Sequence, residues 1–339
     1  MKRISLALAI FAAAFAAAGC SFSSSQQQSQ SPYTATGYFF NTIVSIQIYG
    51  SDDGEAAGAG CLDLCRRYED LFSRTIDTSD VSEINRSEGS PVSVSEETAA
   101  LIQTSLKYSE LTDGKFDITI APVTALWNID GDSPSVPSSD DIAAALSHVS
   151  WKSVEVNGST VTLHEPAESI DLGGIAKGYI GDRLKEYLVS SGVSHALINL
   201  GGNVVTLGGK PDGTDFTIGI QRPFAQEGTP LVTISADDWS VVSSGPYERY
   251  FKQNGKIYHH IMDTSTGYPV DNDLIGVTII SKESAAGDAL STGCFALGLQ
   301  KGMELINSLP DTYALFITSD YTVHYSDHFE DTFHPLVSE

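Results

Sequence analysis

Basic residues are scarce in this chain: 19 Lys and Arg stand against 43 Asp and Glu, a formal charge of −24 over 339 residues. Such a balance argues against a nucleic-acid binder, which needs clustered cations for phosphates. It also requires that any phosphate-bearing ligand be met by local cations, a metal or backbone N–H groups, so a bound metal is expected. Cysteine is scarce too, with four residues in all. None stands in a Cys/His arrangement with zinc spacing, and no disulfide framework is expected. Cys61 and Cys65 fall on the stripe Cys61, Leu64, Cys65, Tyr68, Leu71, Phe72, whose helical spacing makes them small core residues. There is no internal repeat, no Walker A order and no GxGxxG turn.

The long apolar run is N-terminal. "MKRISLALAIFAAAFAAAGC" has a basic start, an apolar stretch and small residues before Cys20, the order of a signal peptide over residues 1–19. Small residues before a cysteine resemble a lipobox, which implies cleavage before Cys20 and lipid on its thiol, although Ala17 stands where Leu is more typical. Cleavage without lipidation is the alternative. Residues 20–33, "SFSSSQQQSQSPY" and its flank, form a polar tether. Residues 34–339 remain for one large, two-lobed domain.

Within it, "TGYFFNTIVSIQIY" reads as a strand pair or one long strand, followed by a helix around Cys61 to Phe72. "SPVSVSEETAALIQTSLKYSELTDG" gives a short strand and a helix ended by Gly114, and "KFDITIAPVTALW" is an apolar, β-branched run up to Pro122. Asp140 to Leu146 is a short helix, and "VEVNGSTVTLHE" a hairpin turning at Asn157 and Gly158. A helix with the stripe Ala176, Ile180, Leu184, Tyr187, Leu188 precedes successive strands and hairpins, then a helix over Ser284 to Gln300 and a closing hairpin. Strands and helices alternate without a βαβ period, so the class is α+β.

Three stretches carry chemistry. "SIDLGGIAKGYIGDRL" places an acid, two glycines, Lys177 and Gly178 where an extended segment becomes a helix, which suits close approach of an anion to backbone N–H groups. A tight turn into an ordinary helix is equally compatible with it. In "SAAGDALSTGCFALG", Asp288 and Thr292 are four apart on a helix and share a face, a pair of hard oxygen ligands suited to Mg²⁺. The bland alternative is an acid favoured by the macrodipole and a Thr bonded back to its own helix. In "GKIYHHIMDTSTGYPV", His259 and His260 point to opposite faces of a strand, so one alone can face a site as proton acceptor. Upstream, "VVSSGPYERYF" offers Arg249.

The ordered set "FSRTIDTSDVSEIN", "DGKFDITIAP…LW", "DLGGIAKGY", "INLGGNV", "GIQRP", "SSGPYERYF", "HHIMDTSTGYP" and "GDALST" resembles the FAD:protein FMN transferases, the ApbE family of exported flavinyltransferases, from about Tyr38 to Leu299. The resemblance implies that FAD is cleaved at its pyrophosphate, that FMN passes to a Ser or Thr hydroxyl of another protein, and that AMP leaves. It implies Mg²⁺ held by Asp288, Thr292 and the carbonyl of Gly174. It implies FAD contacts at Phe116, Asp117, Ile118, Asp171, Lys177 and Ile261, with His260 as proton acceptor. Phe40 and Asn41 stand where the family has a Met-Gly pair, which makes Phe40 a further flavin contact. Thr264 and Gly287 replace a common proline and a usual alanine. The acceptor motif implied, Asp-x-x-Ser/Thr-Gly-Ala-Ser/Thr, has no copy here, so the acceptor is another exported chain, with this protein lipid-anchored at Cys20 on the outer face of the cytoplasmic membrane or in the periplasm. Two alternatives remain open at this point: an FAD pyrophosphatase giving FMN and AMP, and a flavin-binding lipoprotein without catalysis.

Overall fold

The computed structural model describes residues 31–338. The signal segment, Cys20 and nearly all of the tether lie outside the described residues. Among these, no helix is long and apolar enough to cross a membrane.

An eight-stranded antiparallel sheet organises the chain. Its spatial order is Tyr33–Phe39, Thr42–Ile48, Ala196–Leu200, Asn203–Leu207, Ser240–Ser244, Leu274–Ser281, Thr312–Thr318 and Val323–Tyr325. Side chains alternate between its faces. Ile46, Ile198, Val205, Ile279 and Phe316 join the large core under the helices. Val204, Val241, Ile280, Leu315 and Ile317 join a second core, roofed by the strands Phe216–Gln221 and Pro230–Ala236 and the helix Phe329–Phe333. Each such aliphatic side chain contributes about 1.5–3 kcal/mol on burial. The α+β class expected from the sequence holds, and the two principal cores share one sheet.

The first two strands are a hairpin pair. Phe40 and Asn41 turn it with φ of 55° and 57°, the left-handed pair of a two-residue hairpin that Met-Gly or Asn-Gly would take with less strain. The Phe40 N–H donates to Glu69 Oε1 at 2.7 Å, which ties the turn to the helix Gly54–Phe72. On that helix Cys61 and Cys65 are buried, with thiols pushed up to about 12 by burial, so they are inert core residues.

Three segments go beyond the sequence reading or depart from it. The run "KFDITIAPVTALW" is helical, with a 3₁₀ turn at Ile118–Ile120 and a helix at Ala121–Trp127. Asp117 starts the turn, its Oδ1 accepting from the Thr119 N–H at 2.8 Å, and Pro122 sits in the first helical turn where no N–H is needed. The helix expected over Ser284 to Gln300 ends at Leu297. Gly298 (φ 81°) breaks it, and a second helix, Leu299–Asn307, follows. Asp80–Asn85 also forms a short helix, capped by Ser79, where no element was expected.

Candidate active site

The helix Ala176–Ser190 grows from the glycine segment, and the helix Ser284–Leu297 crosses it. The crossing is close because Gly178 has no side chain: a Cβ there would fall on the backbone carbonyl of Ser284. Asp182, one turn on, accepts from the N–H groups of Ser284 at 2.7 Å and Ala285 at 2.9 Å, filling the start of the second helix. In return Asp288 Oδ2 accepts from the Gly178 N–H at 2.9 Å. The two helices thus cap each other with carboxylates.

Asp288 is 4 % exposed, and its Oδ1 lies 3.9 Å from Lys177 Nζ, too far for a hydrogen bond. Thr292 is one helical turn further along the same face. A Cβ on Gly174 would stand 3.8 Å from Thr292 Oγ1 and 3.1 Å from the Phe116 ring, so the Gly174 backbone passes directly beside the hydroxyl. Ser244 Oγ, at the end of a central strand, bonds Ser291 Oγ at 2.8 Å and lies 3.5 Å from Thr292 Oγ1. The donors here are a carboxylate, a hydroxyl and a peptide segment, all hard oxygens of the kind Mg²⁺ takes while keeping several waters. Among the described residues no group of three or more His, Cys, Asp or Glu could hold a metal, so a cation here would rest on this mixed oxygen set.

The segment before Gly174 is clamped from two sides. Asn85 holds Ile170 through its amide, Nδ2 donating to the carbonyl at 2.9 Å and Oδ1 accepting the N–H at 2.7 Å. The Asp171 N–H donates to the Ile118 carbonyl at 2.7 Å, its Oδ1 accepts from Gly173 N–H at 2.8 Å, and its Oδ2 meets Arg74 Nε at 3.3 Å. The FDIT and glycine segments are therefore one unit. Asp117 is buried, and burial pushes its carboxyl up although Thr119 and the Trp151 N–H donate to it. Both its oxygens are engaged inside the chain. Phe116 and Ile118 are buried as well, Phe116 against Gly174.

The two histidines separate clearly. His259 is buried, with Nε2 3.0 Å from the Val270 carbonyl and Nδ1 accepting from the Ile261 N–H at 3.3 Å, so both nitrogens are occupied. Ile261 is in the core and its carbonyl accepts from Val270 N–H. His260 is only partly buried, and its Nδ1 lies 3.3 Å from the Arg249 carbonyl. That contact assigns the proton to Nδ1 and leaves the Nε2 lone pair available. Burial, then the charges of Arg249, His259 and Lys177, pull His260 down to about 3 against the Arg249 carbonyl bond, so the ring is neutral at physiological pH. Glu248 keeps an exposed surface, but its carboxyl sits within the fields of Lys177, Arg249 and Asp288. Burial pushes it up to about 7, Lys177 and Arg249 pull it back, and Asp288 adds to the rise.

The fold thus brings Gly174, Lys177, Asp288, Thr292 and Phe116 into contact, joins Asp171 to Ile118, and places His260 within the field of Lys177. Phe40 stands in a turn at the same sheet end: Thr42, beside it, packs on Gly201, and Gly201 and Gly202 join the strand before Asn203. Sequence reasoning assigned no role to Arg74, Asn85, Ser244, Asp182 or Glu248. The first two lie in plain view in "FSRTIDTSDVSEIN", but nothing in spacing links Arg74 to Asp171 or Asn85 to Ile170, 85 residues or more away.

A family model described as the ApbE family matches residues 40–317. A protein of Klebsiella pneumoniae called FAD:protein FMN transferase is 39 % identical over 309 residues, covering 90 % of this chain and 95 % of that one. A crystal structure of an ApbE protein from Thermotoga maritima aligns with TM-score 0.82 at 31 % identity, over 88 % of this chain and 98 % of its own. The flavin transferase ApbE from Vibrio cholerae aligns with TM-score 0.80 at 26 % identity, over the same shares. With that coverage, and with its own glycine-segment, "GDALST" and double-histidine motifs gathered at one end of one sheet, this chain belongs to the ApbE family.

Proposed function

We propose that this protein transfers the FMN part of FAD to a Ser or Thr hydroxyl of another, exported protein and releases AMP. The observation that carries the reading is the meeting of Asp288 and Thr292, one turn apart on a helix, with the Gly174–Gly178 backbone and Lys177. In an acidic chain this is a place for a pyrophosphate: a cation and oxygens for Mg²⁺ converge there, beside a glycine backbone with no side chain to bar close approach. Mg²⁺, held by Asp288, Thr292 and the Gly174 carbonyl, would neutralise charge on the phosphoryl oxygens and the departing AMP. Lys177 orients the phosphates, and Phe116 with Phe40 bounds the flavin side. His260 Nε2 takes the acceptor hydroxyl's proton. The hydroxyl oxygen then bonds the FMN phosphorus while the P–O bond to AMP breaks, its electron pair leaving with AMP. An anionic substrate offsets Arg249 and Lys177 and so raises His260 towards the range where a base works well.

The acceptor carries the Asp-x-x-Ser/Thr-Gly-Ala-Ser/Thr motif. The test combines this protein, FAD, Mg²⁺ and a domain bearing that motif, and reads flavin fluorescence in a denaturing gel. A fluorescent acceptor band with AMP in equal amount is expected. Free FMN and AMP without labelling would make the protein an FAD pyrophosphatase instead. The lipid anchor at Cys20, and with it the outer face of a membrane as its place, is tested by mass spectrometry of the mature N-terminus. A diacylglyceryl cysteine is expected, and an unmodified N-terminus beyond Cys20 removes the anchor.

A further inference from the structure

Asn203 is 3 % exposed, and its amide Nδ2 is buried without a hydrogen-bond partner among the described residues. Leaving such a donor unmet costs about 1–3 kcal/mol, so folded chains rarely keep one without something to meet it. Its surroundings say what that is. Asn203 opens a strand directly after Gly201–Gly202 and shares a sheet face with Val205. A Cβ on Gly181 would stand 3.0 Å from Val205 Cγ2, so this is the face beneath the helix Ala176–Ser190. On the neighbouring strand Val241 pairs with Val204, which sets Val242 beside Asn203. Val242 packs on Gly287, the residue before Asp288, at 3.1 Å from the position of a Cβ there. Asn203 therefore lies at the sheet end under the helix crossing at which Asp288 holds Gly178, on the strand beside the one whose Ser244 reaches Thr292.

We propose that Asn203 is a substrate-binding residue whose Nδ2–H donates a hydrogen bond to a pyrophosphate oxygen of FAD. The inference rests on the reading of FAD as substrate. Asp288, on the helix above, has Oδ2 committed to Gly178, and no hydrogen bond joins it to the amide. Phosphate oxygens are acceptors only. A buried donor held ready for them works as the backbone N–H groups of an anion site do, without adding a charge that would compete with Lys177 for Asp288.

The test uses Asn203→Ala and the near-isosteric Asn203→Asp in the full protein with Mg²⁺, and measures binding of FAD, ADP and riboflavin by calorimetry and flavin fluorescence. ADP carries the pyrophosphate without flavin, and riboflavin the flavin without phosphate. FAD and ADP affinities should fall about ten- to hundred-fold in Asn203→Ala and further in Asn203→Asp, with riboflavin unchanged. The melting temperature of the ligand-free Asn203→Ala protein should hold or rise, because the substitution removes an unmet donor; a purely structural amide would lower it. Unchanged FAD affinity overturns the proposal. So does an equal loss for riboflavin and ADP, which would place the contact on the ring. A wild-type protein that binds none of the three removes the substrate reading itself and this inference with it.

Discussion

Gly178 and Asp288 are joined by a 2.9 Å hydrogen bond from a backbone N–H to a carboxylate, across 110 residues of sequence. The bond fixes the carboxylate's rotamer, with Oδ2 turned to the helix start and Oδ1 towards Lys177. One carboxylate thus packs two helices and faces the candidate site, and its packing and its proposed role there can be separated by substitution.

Asp288→Asn keeps an acceptor for Gly178 N–H and loses the charge, whereas Asp288→Ala loses both. The alanine variant should be less stable by about 1–3 kcal/mol, the cost of an orphaned buried donor, with the asparagine variant closer to wild type. Both should fall to background in FMN transfer and lose Mg²⁺-dependent FAD binding. Thermal melts beside calorimetry check this. A variant that keeps wild-type turnover removes Asp288 from the metal set.

Gly178→Ala probes the crossing itself. The added methyl would meet the Ser284 carbonyl, which is backbone and cannot swing aside. We expect a loss of about 1–3 kcal/mol of stability and a larger loss of activity, since the helices must part and Asp288 moves with them. Chemical denaturation gives the first quantity and the transfer assay the second. A melt unchanged from wild type would contradict the packing.

The histidine pair predicts opposite phenotypes. His260→Ala should lose about 10²–10⁴ in transfer rate with FAD binding retained, because the substitution removes the proposed proton acceptor alone. His259→Ala should chiefly destabilise, since Nε2 and Nδ1 hold the Val270 carbonyl and the Ile261 N–H. Single-turnover labelling and a melt on each variant separate the roles, and labelling by His260→Ala at the wild-type rate would dismiss it as base.

Arg249 supplies a pH prediction. Its charge lowers the His260 pKa, second only to burial, so Arg249→Met should let that pKa rise towards its ordinary value of 6.5. A base is lost when it protonates, so activity falls on the acid side of its pKa. The acid limb of kcat/KM, which reports the free enzyme, should therefore move to higher pH in the variant. The linked stability has the same sense: the folded wild type refuses a proton that the unfolded chain accepts below 6.5, so His260 costs stability as pH falls from 6.5 towards about 3. Relieving the shift in the variant should shrink that loss. An acid limb that stays in place would show that Arg249 does not act on His260.

Local pattern made several parts of this protein readable. The Cys61-to-Phe72 stripe, the Asn157–Gly158 hairpin and the stripe on the Ala176–Ser190 helix follow from periodicity and turn chemistry, and all three are present. The "FDIT" segment is not legible from composition, because its β-branched residues favour strand while a single side chain, Asp117, closes a turn over Thr119 and starts a helix. The helix break at Gly298 follows from its glycine, which takes φ 81°.

The sequence by itself determined which atoms the site can use: a Lys in a glycine segment, an Asp and a Thr four residues apart, and two adjacent histidines. Their types and spacings are local, and helix and strand geometry project them without knowledge of the rest. Tertiary structure alone decided which of them meet. It sets Gly178 against Ser284, clamps Asp171 with Arg74 and Ile118, spends both nitrogens of His259 on the core while leaving Nε2 of His260 available, and sets Asn203 beside Val242, which packs on Gly287. Such contacts depend on long-range packing and sheet register, and neighbouring residues carry no record of either.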